Sequence, residues 1–158
     1  HISTFNYVFQ IPITPNTVVT ASQTQTEMGP IGVAINGVPL FNQYAAERVA
    51  LSSNEYNTFD QYDGHPGNDN DYHYHWQPYY LTSVNGTDAL IGFLLDGYPV
   101  YGPSENGTTI TSSDLDTNHG HTCATADYPG GIYHYHITAD SPYICGDKFH
   151  GKPGTVTW

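Results

Sequence analysis

The chain has 158 residues, with 3 Lys or Arg against 15 Asp or Glu, and a formal charge of −12 with histidine neutral. A surface this acidic repels phosphate backbones and anionic headgroups, both of which need Lys or Arg at the contact, so nucleic acid is excluded as a partner. No apolar run approaches the roughly 18 residues of a membrane span, which excludes insertion, and the length fits one domain over residues 1–158.

Taken along the chain, Phe5, Tyr7, Phe9, Ile11 and Ile13 alternate with polar residues such as Asn6 and Gln10, the period of a half-buried strand over residues 1–14. Asn36-Gly37 sits between apolar runs and predicts a hairpin with both turn residues at positive φ. Asn42 to Leu51 has the composition of a helix. Tyr72 to His75 reads as a strand, Asp96-Gly97 as a second hairpin, and Ser112-Ser113-Asp114-Leu115 as the start of a short helix. The 11 prolines and 16 glycines favour short strands and many turns. The expected fold is all-β or β-dominated, with short helices in loops.

The chain also aligns with itself. Ile31-Gly32 through Asn36-Gly37-Val38-Pro39 matches Ile91-Gly92 through Asp96-Gly97-Tyr98-Pro99, an offset of 60 (91 minus 31). Gly64-His65 matches Gly120-His121 at 56 (120 minus 64), and Tyr72-His73-Tyr74-His75 matches Tyr133-His134-Tyr135-His136 at 61 (133 minus 72). Three blocks in one order imply two related units, about residues 28–80 and 88–140, in a pseudo-twofold arrangement.

Six of the 9 histidines fall at repeated positions: His65, His73, His75, His121, His134 and His136. Residues two apart on a strand share a face, so each His-x-His can turn two imidazoles toward one ion, with the Gly-His residue as third ligand. Tyr72, Tyr74, Tyr133 and Tyr135 then lie on the opposite face and pack. An imidazole shell without thiolates favours copper over zinc, because affinity peaks at Cu(II). Asp69-Asn70-Asp71 offers hard oxygens and leaves calcium as a candidate. Asp60, Asp63 and Asp116, beside the Gly-His residues, are expected to orient imidazoles. His119 and His150 are expected in loops or at the surface. His1 could chelate copper through its imidazole and a free α-amine.

Cys123 and Cys145 are expected to form a disulfide, as in oxidising compartments. Asn85-Gly86-Thr87 and Asn106-Gly107-Thr108 are glycosylation sequons. With charged residues at only 11% of the chain, these features point to an extracellular or cell-surface protein.

The blocks Asn36-Gly37-Val38-Pro39, Asp96 to Pro103, Gly120-His121-Thr122 and Gly131 to His136 resemble the YHYH-domain family over about Gly29 to Gly151. That resemblance implies export and a shared fold unit, and it implies no reaction. The functional expectation is a secreted metal-binding protein, with a metal-dependent enzyme as a variant. The alternative is a structural subunit of an extracellular filament or matrix, assembling with copies of itself by exchange of the N-terminal strand. Carbohydrate binding through Trp76, Tyr79 and Tyr80 is a third reading.

Overall fold

A computed structural model describes residues 1–158. In the first half the chain forms β1 (Val8–Gln10), β2 (Pro30–Ala34), β3 (Pro39–Phe41), β4 (Tyr44–Ala45), β5 (Val49–Ala50), the helix α1 (Ser53–Tyr56), β6 (Gly64–Pro66) and β7 (Tyr72–Tyr74). The helix α2 (Tyr79–Asn85) leads to β8 (Leu90–Leu94), β9 (Pro99–Tyr101), β10 (Ser104–Glu105), β11 (Thr108–Thr109), β12 (Gly120–Cys123), β13 (Ile132–His136) and β14 (Thr155–Thr157). The fold is β-dominated, and α1 and α2 are short.

One mixed sheet of 8 strands runs β12-β13-β9-β8-β2-β3-β7-β6. The antiparallel pair β2–β8 lies at its centre. Outward on each side comes the hairpin partner, then a parallel strand bearing Tyr-His-Tyr-His, then an antiparallel edge strand bearing Gly-His. At the junction Val33 faces Phe93, its own counterpart in the sequence alignment, and Gly32 and Gly92 flank it against Leu94 and Ala34. A β-carbon at either glycine would strike the backbone of the facing strand, so glycine is what lets the two halves meet.

Both expected hairpins form, as β2–β3 and β8–β9. Their turns differ from expectation: only Gly37 (φ 84) and Gly97 (φ 88) take positive φ, while Asn36 and Asp96 do not. This is the wider turn in which a left-handed glycine follows two ordinary residues, and it frees the side chains of Asn36 and Asp96. Asn36 donates from Nδ2 to the Tyr74 hydroxyl at 3.2 Å. The buried Asp96 carboxylate accepts from the Tyr135 hydroxyl at 2.6 Å and from the Gly151 amide at 2.9 Å.

The other tyrosine of each motif is held as well. Tyr72 donates to Asp60 at 2.8 Å and Tyr133 to Asp116 at 2.9 Å. The tyrosine faces of β7 and β13 thus pack against a core that includes Ile31, Leu40, Ile91, Leu94, Val100 and Ile144. Alternation then sends the histidines to the other face.

Expectations about several elements need revision. Asn42 to Leu51 is no helix: β4 and β5 form a tight hairpin, with Glu47 (φ 60) and Arg48 (φ 58) left-handed in the turn. Tertiary contacts outweigh helix propensity there, because Arg48 donates to the Thr26 carbonyl at 2.8 Å and lies 4.6 Å over the Tyr44 ring. The unexpected α2 is bracketed by Pro78 and by Gly86 (φ 108), a start and stop signal present in the sequence. The N-terminal alternation survives through Ile11, but Ile13 is fully exposed and only Val8–Gln10 joins a ladder, with β14 of the same chain. At Ser112–Asp114 the expected short helix is a single 3-10 turn capped by Thr111.

Candidate metal centres

At one edge of the sheet, β6 supplies His65, β7 supplies His73, and His75 follows directly after β7. Register pairs His65 with His73. The Nε2 atoms of His65 and His73 lie 3.1 Å apart and those of His73 and His75 2.9 Å apart, with each residue only 3% exposed. Phe41 stacks on His73 at 3.8 Å and Phe59 tilts against His65 at 4.8 Å, so the walls are apolar. Glu55, from α1, brings Oε1 to 3.5 Å from His65 Nε2.

At the opposite edge, β12 supplies His121 and β13 supplies His134 and His136. His121 and His134 pair in register, with their Nε2 atoms 3.0 Å apart. Glu105, on β10, places Oε1 3.4 Å from His121 and His134 Nε2 and 3.8 Å from His136 Nε2. The two groups sit on β7 and β13, five strand spacings apart, roughly 24 Å along the sheet at ~4.8 Å per strand. They are two sites and not one shared site.

The hydrogen bonds fix the imidazole tautomers. Nδ1 of His73 faces the Asp71 carbonyl (2.9 Å), His75 that of Asn42 (2.6 Å), His134 that of Ile132 (3.0 Å) and His136 that of Gly102 (2.8 Å). A carbonyl only accepts, so each Nδ1 carries the proton. His65 Nδ1 meets the Thr58 hydroxyl at 2.8 Å, and that hydroxyl already donates to the Glu55 carbonyl, so His65 Nδ1 donates as well. Each of these five neutral rings therefore points a bare Nε2 lone pair into its cluster. His136 Nε2 is buried with no hydrogen-bond partner.

Lone pairs facing one another at about 3 Å repel unless something positive lies between them. A proton is the weaker candidate, because burial drives the histidines down: His73 to about 3, and His75 and His136 each to about 4. An ion at the usual ~2.0–2.1 Å from each imidazole would set the nitrogens roughly 2.9–3.4 Å apart for angles between right and tetrahedral. The observed separations fit that range. Pinning of Nδ1 by a backbone or hydroxyl acceptor is what metal-binding imidazoles need for orientation.

Both groups open to solvent. The first lies in a cleft of about 470 Å³ whose walls include Phe5, Tyr44 and Trp158. The second reaches a cleft of about 320 Å³ through His136 and Glu105, with Tyr101 and Asp127 on its wall.

All six expected histidines are thus brought together, three and three. Other expectations are corrected. Asp60 and Asp116 orient the motif tyrosines and the amides of Gly64 and Gly120, not imidazoles. His119 and His150 lie in loops, as expected, but not at the surface: His119 is buried, with Nε2 bonded to the Thr138 hydroxyl at 2.9 Å, and His150 is half-buried and stacked on Tyr133 at 3.5 Å. Cys123 and Cys145 form no disulfide: Cys145 is sealed in the core, while Cys123 lies on β12 beside the second cluster. His1 is exposed and joins neither group, and neither Asp69 nor Asp71 belongs to them. Asp71 instead accepts from the Tyr7 hydroxyl at 3.2 Å. Trp76 stacks on Tyr143 at 4.6 Å as packing, whereas Tyr79 and Tyr80 are exposed. Asn85 and Asn106 are exposed, the latter with Gly107 forming the tip of the β10–β11 hairpin.

Glu55, Thr58 and Glu105 escaped the sequence reading. Glu105 aligns with Ala45 at the first repeat's offset, so the duplication carried no signal for it.

Residues 8–109 and 104–151 match the family described as YHYH protein, and the chain belongs to that family. The match begins at residue 8 and so takes in β1, well ahead of the Gly29 at which the resemblance was placed. No curated protein and no solved structure matches the chain.

Proposed function

We propose that this YHYH-family chain is a metal-binding protein with two separate histidine centres, His65/His73/His75 and His121/His134/His136, copper favoured over zinc. The observation that carries the reading is the set of five rings whose Nδ1 protons are bonded outward and whose bare Nε2 atoms converge inward. Copper is favoured because imidazole shells bind Cu(II) most tightly among the first-row divalent ions. A bound ion would supply Lewis acidity or, as copper, one-electron chemistry. The chain's own residues hold it, orient it and leave it reachable from a cleft.

The protein works outside the cell or at its surface. Composition and the two exposed sequons support this, although the free thiols withdraw the support a disulfide would have lent. Calorimetric titration of chelator-stripped protein with Cu(II) and with Zn(II) tests the proposal. Two equivalents are expected, with copper the tighter; absence of saturable binding for both ions refutes the reading.

A further inference from the structure

The two centres differ in one position. In the sequence alignment Gly67 corresponds to Cys123, at the same offset that relates His65 to His121. Two residues along β12 from His121, Cys123 shares its face. Its Sγ lies 2.8 Å from Glu105 Oε1 and 3.9 Å from His134 Nε2. In the first unit a β-carbon built on Gly67 would meet the Asp71 carboxylate first, 2.6 Å from Oδ1, and then His73 Cε1 at 3.2 Å, and glycine has no side chain to extend. The corresponding position therefore lies beside the motif histidine in both halves, with the Asp71 carboxylate over it in the first and a thiol carried on it in the second. Independently of the thiol, the buried and unpartnered Nε2 of His136 is turned toward the same carboxylate oxygen, 3.8 Å away.

We propose that Cys123 is a ligand of the second centre, making it a mixed imidazole–thiolate site while the first remains a histidine site. This rests on the metal-binding reading above. Binding exchanges a proton for an ion: the Sγ–metal bond forms as the S–H bond breaks, and the proton passes to the Glu105 carboxylate that the thiol already touches and then to water. Without an ion the thiol stays protonated, because burial and the Glu105 carboxylate both disfavour the thiolate. Sulfur biases the second site toward softer ions than the first, so the two centres would fill differently from a mixture of metals.

Cobalt(II), which does not oxidise thiols, is the probe. Loaded into the whole chain, it is expected to give an intense sulfur-to-cobalt charge-transfer band in the near ultraviolet, at one thiolate per protein. Cys123→Ser should lose the band and keep cobalt at the first centre, whereas His73→Ala should keep the band. Cys123 should also react with a maleimide in stripped protein and be protected at least tenfold by cobalt, a readout independent of any variant's folding. Cobalt bound at both centres without the band, or a band that persists in Cys123→Ser, overturns the assignment. Failure of cobalt to bind anywhere overturns this assignment, and when joined by the absence of Cu(II) and Zn(II) binding in the titration above it removes the metal reading as well.

Discussion

Replacing His73 by alanine is expected to remove the metal of the first centre and leave that of the second, and His134→Ala should do the converse. The reciprocity follows from the separation: no side chain is shared, and the four hairpin strands β9, β8, β2 and β3 lie between β13 and β7. Each residue is the middle member of its group in the first case and the Glu105- and His121-facing member in the second. Loss of an outer hydrogen-bond partner alone weakens a metal site roughly 10–100-fold, so loss of a ligand should exceed that. Elemental analysis after equilibrium dialysis against copper in excess of two equivalents reads the result directly. Equal copper content in parent and both variants would show that these rings are not ligands.

Stripped of metal, the protein is expected to lose stability steeply as pH falls from about 6.5 to about 4, and bound metal should move the transition to lower pH. His73 is held down to about 3, and His75, His119 and His136 each to about 4, with burial the first cause in every case. The same side chains charge near 6.5 once unfolded. Below that value the unfolded chain binds more protons than the folded one, so stability drops with each step down in pH until the folded values are passed. One such imidazole withholds about 1.4 kcal/mol per pH unit, and four together rival the roughly 5–15 kcal/mol that hold a domain folded. Asp63, Asp71 and Asp96 work in the opposite sense, since burial raises their carboxyls and the folded chain takes up those protons first. These three carboxyls offset part of the effect of the buried imidazoles. An ion on Nε2 blocks the proton's place, which is why metal should protect. Circular dichroism followed against pH, with and without chelator, measures both curves, and a metal-free chain that is equally stable at pH 7 and pH 4.5 would contradict the account.

Much of the site was legible because it was written twice. The spacing of Tyr-His-Tyr-His is the strand period itself, so one face of β7 or β13 had to be phenols and the other imidazoles. The preceding Gly-His could be attached to it because the blocks recur in order. What could not be read was whatever one copy has and the other lacks. Glu55 comes from a helix of 4 residues, and Glu105 from a two-residue strand. Two cysteines in one chain suggest a disulfide by count alone, and only the pairing of β12 with β13 puts Cys123 on a strand two residues from His121. The carbonyls that fix the imidazole tautomers, those of Asn42 and Gly102 above all, come from distant segments, and backbone groups leave no mark in composition. The region from Asn42 to Leu51 shows the same limit in the fold. Its helical residues yield to contacts made with Thr26 and Asp147, which lie far off in sequence.

The most direct measurement is anomalous diffraction at the copper edge from crystals of copper-loaded protein. The account predicts two peaks, each about 2.0–2.1 Å from the Nε2 atoms of one histidine trio. Peaks confined to surface carboxylates or to His1, with the six imidazoles left facing one another around no ion, would contradict it.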